Sequence, residues 1–336
     1  MPSVSTHHFL AAMRGAQLKG WSRQSLLAEA GMKDNFDYAG EQRFSIDQMT
    51  RLTRTIWRVL DDEFMGFTRT QSKPGTFAFC VKAMSKERTL RDALMTGSTF
   101  YSLVTDDIET EIIEHGDHAV IDIRFQHPEL DPDYYFEDFW MVIWHRLASW
   151  LTGLRIPLQY VNFTQAKPPH SRELNYMFPG VLDFGTTSSQ LAFDARHLEL
   201  PISRSSREVD RFLARSPFYL LSIPGSEGML HGTIVSMLTP EDNGVMTFPS
   251  IEEIAAQLGC SGGTLRRRLR EESSSYSKIK DELRRNVAYK LLADESIPIE
   301  DVALAAGYST ASPFIRAFNQ WSGTSPRQYR RKLRPR

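Results

Sequence analysis

The sequence predicts an α+β N-terminal domain, a mainly antiparallel sheet with helices, joined to an all-α C-terminal domain with two helix-turn-helix units. Three observations carry this. First, Ser250 to Ser261 is repeated at Pro298 to Ser309: Ile251/Ile299, Glu252/Glu300, Glu253/Asp301, Ile254/Val302, Ala255/Ala303, Gly259/Gly307 and Ser261/Ser309 all sit 48 positions apart. Second, Ile108 to Glu114 and Ala119 to Phe125 alternate apolar and polar residues around Glu114-His-Gly-Asp117, the pattern of a β-hairpin. Third, the other upstream segments alternate between helical and strand patterns. With a tight hairpin among them, that favours an antiparallel sheet over a doubly wound one.

A length of 336 residues suggests two domains, and 41% hydrophobic with 24% charged residues is ordinary for a globular chain. No apolar run approaches the roughly 20 residues of a membrane helix. Met1 to His8 lacks the basic-then-apolar pattern of a signal peptide. Two cysteines, Cys80 and Cys260, fit a reducing compartment, so the expected location is the cytoplasm and no membrane partner is expected. No phosphate loop, nucleophile motif or metal spacing stands out. Catalytic residues, metal ligands and cofactors are therefore expected to be none, and the protein is not expected to be an enzyme. His115 and His118 read as residues of a surface turn, and His7-His8 as a frayed terminus. The net charge of −1 hides a polarity: residues 227–336 hold 16 basic and 13 acidic residues (+3), residues 1–226 hold 24 and 28 (−4). After Asp301 there are seven basic residues and no acidic one. That suits a C-terminal end facing nucleic acid, or a solvated basic tail.

In chain order, residues 6–62 read as helical, with Ile46, Met49, Leu52, Ile56, Val59 and Leu60 at helical spacing. Lys73-Pro-Gly75 is looser and leads to Phe77–Val81. Thr89–Val104 reads as a helix and the hairpin follows, closed by Pro128 and Pro132. Asp133–Gly153 is a helix carrying Tyr134, Tyr135, Phe136, Phe139, Trp140, Trp144 and Trp150. Strand patterns return at Leu158–Phe163 and Gln190–Phe193, and a helix from Ser205 to about Leu221 ends the domain. Ile223–Gly228 is the linker candidate, dividing the chain into 1–225 and 226–336. Gly228–Leu238 then forms a first C-terminal helix, ended by Thr239–Gly244.

The repeat supplies the chemistry. Ser250 and Glu253 form a capping box at the start of the first unit, about 250–272. Ser261 caps its second helix, where Leu265 and Leu269 form the buried stripe. Arg267 lies about 160–200° round from both, at about 100° per residue, so it faces outward, flanked by Arg266 and Arg270. Arginine suits both bidentate contact with guanine and neutralisation of phosphate. Gly263 and Thr264 belong to the same helix start. A linker helix, about 276–293, carries Ile279, Leu283, Val287 and Leu291 on one face. Arg284 and Arg285 lie off that face, either to meet phosphate or as ordinary surface residues. In the second unit, about 299–320, the offset becomes 49, pairing Leu265 with Phe314 and Leu269 with Phe318, so one residue is extra in its turn or second helix. There Ser309 is the expected cap, and Ala311, Ser312, Ile315 and Arg316 are expected to face the groove. A rigid linker would set the two outer helices about 34 Å apart, in successive major grooves of double-stranded DNA.

The text Ile254-Ala-x-x-Leu-Gly-Cys-Ser-x-x-Thr-Leu-Arg-Arg-Arg-Leu269, with Val302-Ala-x-x-x-Gly-Tyr-Ser-x-x-Ser-Pro-Phe-x-Arg-Ala-Phe-x-x-Trp-Ser-Gly-x-Ser-Pro326, resembles the DNA-binding domain of the AraC/XylS family of transcription regulators. Thr89-Leu-Arg-Asp-Ala-Leu94, the hairpin, and Leu191-Ala-Phe-Asp-Ala-x-x-Leu-x-x-Pro201 are similar to the arabinose-binding-like N-terminal domain of one subgroup. Pro298, Ser274 and Pro313 depart from the family's usual residues. The resemblance implies a sequence-specific activator, with an N-terminal sensor domain for a small-molecule effector, RNA polymerase as a partner, and a homodimer. Tyr101, Trp140, Trp144 and Trp150 are the candidate effector-pocket residues, with plain core as the alternative. A second reading is an N-terminal domain that only dimerises or contacts protein partners, with no small ligand.

Overall fold

The computed structural model describes residues 3–34, 36, 42–178, 180–222, 229–238, 246–271, 274–292, 294 and 296–332. A two-stranded ribbon pairs β1 (Ser3–Ser5) with β2 (Arg43–Ser45). Between these strands run α1 (Thr6–Ala11), α2 (Arg14–Leu18) and α3 (Arg23–Glu29). The stretch read as helical therefore also holds a strand, because Arg43–Ser45 returns to pair with the chain start. After it, α4 (Ile46–Leu60) opens with a Ser45/Gln48 capping box and buries Met49, Leu52 and Ile56. The Phe77–Val81 segment is helical, within α5 (Thr76–Met84), and α6 (Leu90–Val104) follows with Thr89 as its cap.

The hairpin forms as read. β3 (Ile108–His115) pairs antiparallel with β4 (His118–Phe125), from Ile108 opposite Phe125 to His115 opposite His118. Next comes α7 (Tyr135–Thr152), buried along nearly its whole length. β5 (Leu158–Phe163), α8 (Ser171–Met177), β6 (Val181–Phe184) and β7 (Ser189–Asp194) complete a five-stranded sheet of order β3-β4-β7-β5-β6. All its pairs are antiparallel except β5 with β6. β6 escapes sequence reading because it is four residues long and pairs parallel at the sheet edge. The helix expected over 205–221 is split at Ser216-Pro217 into α9 (Ser206–Arg215) and α10 (Phe218–Ser222).

A single carboxylate starts the central helix. Asp131 accepts hydrogen bonds from the backbone N–H groups of Tyr135 (3.0 Å), Phe136 (2.8 Å) and Glu137 (3.0 Å). Those donors have no intrahelical partner and are buried, so each needs one. Asp131→Ala is expected to lower stability by about 2 kcal/mol, read as a shift in the urea midpoint; an unchanged midpoint would remove this cap from the account.

The expected linker at 223–228 and helix end at 239–244 lie outside the described residues. Beyond them come α11 (Met229–Leu238), α12 (Ile251–Gln257), α13 (Gly262–Glu271), α14 (Tyr276–Leu292), α15 (Ile299–Ala305), α16 (Ala311–Ser322) and α17 (Pro326–Lys332). They enclose two small cores. One joins α11, α12, α13 and the first half of α14 through Ile234, Ile254, Leu265, Leu269, Ile279 and Leu283. The other joins the second half of α14 to α15, α16 and α17 through Tyr289, Leu292, Val302, Phe314, Phe318 and Tyr329. α14 thus serves one unit with its start and the other with its end. Among the described residues no helix is long and apolar enough to cross a membrane.

Candidate nucleic-acid interface

The first unit is built from its caps upward. Ser250 Oγ accepts from the Glu253 N–H while the Glu253 carboxylate accepts from the Ser250 N–H, which fixes the start of α12. The chain then turns through Gly259, whose φ of +64° favours glycine. Ser261 Oγ accepts the Thr264 N–H at 3.1 Å and starts α13. With Leu265 and Leu269 fully buried, Arg266, Arg267, Arg268 and Arg270 are left exposed on the other side. Arg268 completes a run that the sequence reading named only in part. Arg266 donates to Glu252 Oε1 at 2.6 Å, tying α13 to α12. Both partners are exposed, so this pair adds little stability. Gly263 is exposed and Thr264 half-buried at the same helix start.

The second unit differs where its sequence is longer. Four residues separate α12 from α13, but five separate α15 from α16, so the extra residue lies in the turn. It moves the N-cap to Thr310, and Ser309, the expected cap, is an exposed turn residue. Gly307 has a φ of +76°, and a Cβ there would lie 2.7 Å from the Phe248 ring, so backbone and ring pack closely. Phe314 and Phe318 are buried as expected, and Ser312 and Arg316 are exposed. Ala311 and Ile315 are half-buried and pack against the second core, so only part of each side chain is available outward.

Along α14, Arg284 does not stand free. Its guanidinium lies 4.6 Å from the Phe248 ring and 4.8 Å from the Tyr308 ring, bridging the two units by cation–π contact. Arg285 is half-buried, with its Nε enclosed. Missed altogether were Asn286, Tyr289 and Lys290, which face the N-terminal sheet. Asn286 Nδ2 donates to the Leu158 carbonyl (3.3 Å), and Lys290 Nζ pairs with Asp183 Oδ2 (3.0 Å). His118 is no surface-turn residue. It is buried, bonds Gln159 through Nδ1, and sets its ring edge-on to Tyr289 (4.5 Å) and Tyr329 (5.5 Å). Burial pushes its imidazole below the usual histidine value. A polar residue within an apolar helix face, such as Asn286, was the available signal for this seam.

The four aromatic residues proposed to line a pocket are distributed. Tyr101 and Trp140 meet edge-on at 4.7 Å and border a cavity of about 20 Å³, room for about one water. Trp144 packs beside Gly97, and Trp150 stacks on Phe212 at 4.1 Å. A cavity of about 340 Å³ lies elsewhere, among His7, Leu10, Met13, Arg14, Arg23 and Asp133. The histidine pair expected to be a frayed terminus is part of α1, and His8 is buried.

Two helix-turn-helix units, the first with an arginine-rich outer helix and the second with Arg316 exposed on its own, joined to an α+β domain, define a helix-turn-helix DNA-binding protein. Residues 20–202 match the family model described as the arabinose-binding domain of AraC transcription regulators, and residues 254–332 match a helix-turn-helix domain model. The chain belongs to the AraC family: it is a DNA-binding transcription regulator with an arabinose-binding-like N-terminal domain. It is similar to the ornithine utilization regulator of Pseudomonas aeruginosa, 24% identical over 317 residues that span 93% of this chain and 91% of that protein. The regulator VqsM of Pseudomonas aeruginosa is 36% identical over 83 residues, 25% of this chain and 26% of its own. Among solved structures, the regulator CdpR from Pseudomonas aeruginosa aligns at 24% identity over 76% of this chain and 81% of its own, with a TM-score of 0.31.

Proposed function

We propose that the protein is an effector-responsive regulator that sets α13 and α16 into successive major grooves on one face of double-stranded DNA. On this reading residues 1–225 sense and dimerise, and residues 226–336 read the operator. The observation that carries it is the outer side of α13: Arg267 lies opposite the buried Leu265 and Leu269, with exposed Arg266, Arg268 and Arg270 around it, on one short helix whose start is capped and whose inner side is locked in a core. Arg267 and Arg270 supply base and phosphate contacts, with Ser261, Gly263 and Thr264 bringing the helix start close to the backbone. Arg266 must exchange or share its Glu252 partner to join them. On α16, Ser312 and Arg316 offer polar contacts, and the exposed parts of Ala311 and Ile315 offer apolar ones, with Ser309 beside the helix start. Arg284 and Arg285 act through the placement of the two units as much as through phosphate.

The sensing half has room for a small effector in the cavity of about 340 Å³ beside α1 and α2. The packed cluster of Tyr101, Trp140, Trp144 and Trp150 is a weaker site by that measure. An effector works here by preferring one arrangement of the two halves, and the seam of Asn286, Lys290, Tyr289 and His118 is where such a preference is transmitted. A homodimer, an encounter with RNA polymerase, activation of transcription, a cytoplasmic location and the lack of an enzymatic activity complete the reading. They rest on the family and on DNA as the partner.

Arg267→Ala tests the groove assignment. It is expected to weaken operator binding by about 1–3 kcal/mol and to relax base preference at one position. Titrations against the operator and single-base variants measure this, and equal affinity and equal preference in the variant would remove α13 from the groove.

A further inference from the structure

Three histidines and one carboxyl group meet in the N-terminal domain. His7 and His8 come from α1, Asp138 from the first turns of α7, and His170 from the residue before α8. His8 Nε2 lies 3.3 Å from Asp138 Oδ2, both residues being buried. One ligating atom each of His8, Asp138 and His170 falls within 4.8 Å of the others. We propose that His8, Asp138 and His170 bind a divalent first-row transition-metal ion of the zinc class.

The geometry is close to what such an ion requires. With metal–ligand distances near 2.0–2.1 Å, two ligand atoms on a tetrahedral ion stand about 3.3 Å apart. The His8–Asp138 separation already has that value. His170 has only to swing in by about 1.5 Å, as a side chain preceding a short helix can. Two imidazoles and one carboxylate suit zinc, cobalt, nickel or iron better than magnesium or calcium, which prefer oxygen donors.

The surroundings supply what metal ligands usually need behind them. Ser5 Oγ holds His8 Nδ1 at 2.9 Å, so Nε2 is the atom presented to Asp138. Gln165 Nε2 donates to the other oxygen of Asp138 at 3.2 Å. A further carboxylate near His8, Glu173, is held by two hydrogen bonds from Arg43 (2.5 and 3.0 Å) and is not needed as a ligand. The Nε2 atoms of His7 and His170 are enclosed and have no hydrogen-bond partner, an arrangement native structures seldom leave without an ion or water. An ion of this class takes neutral imidazole nitrogens and an ionised carboxylate, so protons held on those atoms leave to solvent as it binds. Three protein ligands leave a fourth position open. The His7 ring, stacked on His170 at 3.7 Å, also forms part of the wall of the 340 Å³ cavity. The site therefore ties three elements together, and one of them, α8, packs against α11 of the C-terminal domain.

The test uses the full chain, stripped with a chelator and titrated with Zn²⁺ by calorimetry and with Co²⁺ by visible absorption. One ion per chain is expected, with Co²⁺ giving the intense bands of a low-coordinate nitrogen–oxygen site. His170→Gln, at the only half-buried ligand, is expected to lose at least about tenfold in affinity while circular dichroism is unchanged. Gln165→Leu, which touches no metal, should weaken binding about tenfold through Asp138. Three results overturn the proposal: no stoichiometric Zn²⁺ or Co²⁺ binding; binding that His170→Gln leaves intact, as adventitious surface histidines would give; and a preference for Mg²⁺ or Ca²⁺ over both.

Discussion

Phe318→Ala is expected to unfold the second helix-turn-helix unit and to abolish operator binding while leaving the N-terminal domain folded. Phe318 is fully buried at the centre of the smaller C-terminal core. Its ring meets Tyr289 of α14 at 5.4 Å, Tyr329 of α17 at 5.4 Å, Phe314 at 5.7 Å and Trp321 at 6.5 Å. Among the described residues, no other side chain there makes ring contacts with so many aromatic neighbours. Truncating a buried phenylalanine removes transfer free energy and leaves a cavity, together about 3–5 kcal/mol. That is a large share of what a small domain has in total. Two helices, α15 and α16, depend on this core, so the loss is cooperative over the unit. Amide hydrogen exchange in rising urea, read separately for the peptides of α15 and α16, would show their transition moved to lower denaturant or absent. Binding to the operator would fall with it, and the sheet's far-ultraviolet signal would stay. An unchanged midpoint would mean that the second unit is held chiefly by α14 and the N-terminal sheet.

The C-terminal domain was legible because it repeats itself. The 48-residue offset located both units, the Ser250-x-x-Glu253 pattern gave the capping box, and the buried pairs Leu265/Leu269 and Phe314/Phe318 followed at an offset of 49, all before any coordinates. The change of offset to 49 announced the longer turn of the second unit. Its consequence for the cap did not follow: the longer turn puts Thr310 at the N-cap position, where its side chain makes no capping hydrogen bond. The hairpin of β3 and β4 was legible for a similar reason, local alternation around a local turn. What stayed hidden is what depends on distant pairing. β2 pairs with β1 some 40 residues earlier, and β6 is a short parallel edge. His118 looks like a turn residue until Tyr289 and Tyr329 close over it. Arg284 looks like a surface cation until the rings of Phe248 and Tyr308, from the two units, lie 4.6 and 4.8 Å from its guanidinium. The grouping of His8, Asp138 and His170 spans more than 160 residues of chain, and no spacing rule reaches across that.

Acid is expected to destabilise the N-terminal domain through His145, with a loss on the order of 3 kcal/mol between pH 6.5 and pH 4. His145 lies on α7 with its ring buried, and its Nε2 donates to the Ile156 carbonyl at 2.8 Å. That bond fixes the neutral tautomer and leaves Nδ1 enclosed without a partner. A second proton there would be buried, with Arg146 and Arg155 adding like charge, so the imidazole is pushed down to about 4, chiefly by burial. The sign follows from proton counts. Between pH 6.5 and 4 the unfolded chain carries a proton on this ring and the folded chain does not, so lowering the pH favours unfolding. Above pH 6.5 neither state is protonated and the contribution is complete and constant; below pH 4 both are, and it is lost. His8 and His118 are shifted in the same direction, so the measurement must be a difference. His145→Gln can keep a donor for the Ile156 carbonyl but cannot titrate. Its unfolding free energy in urea should fall less steeply with acid than that of the natural protein, by about one proton over this interval. Parallel curves for the two proteins would show that His145 accepts a proton in place, and that the charge on Arg146 is screened from it.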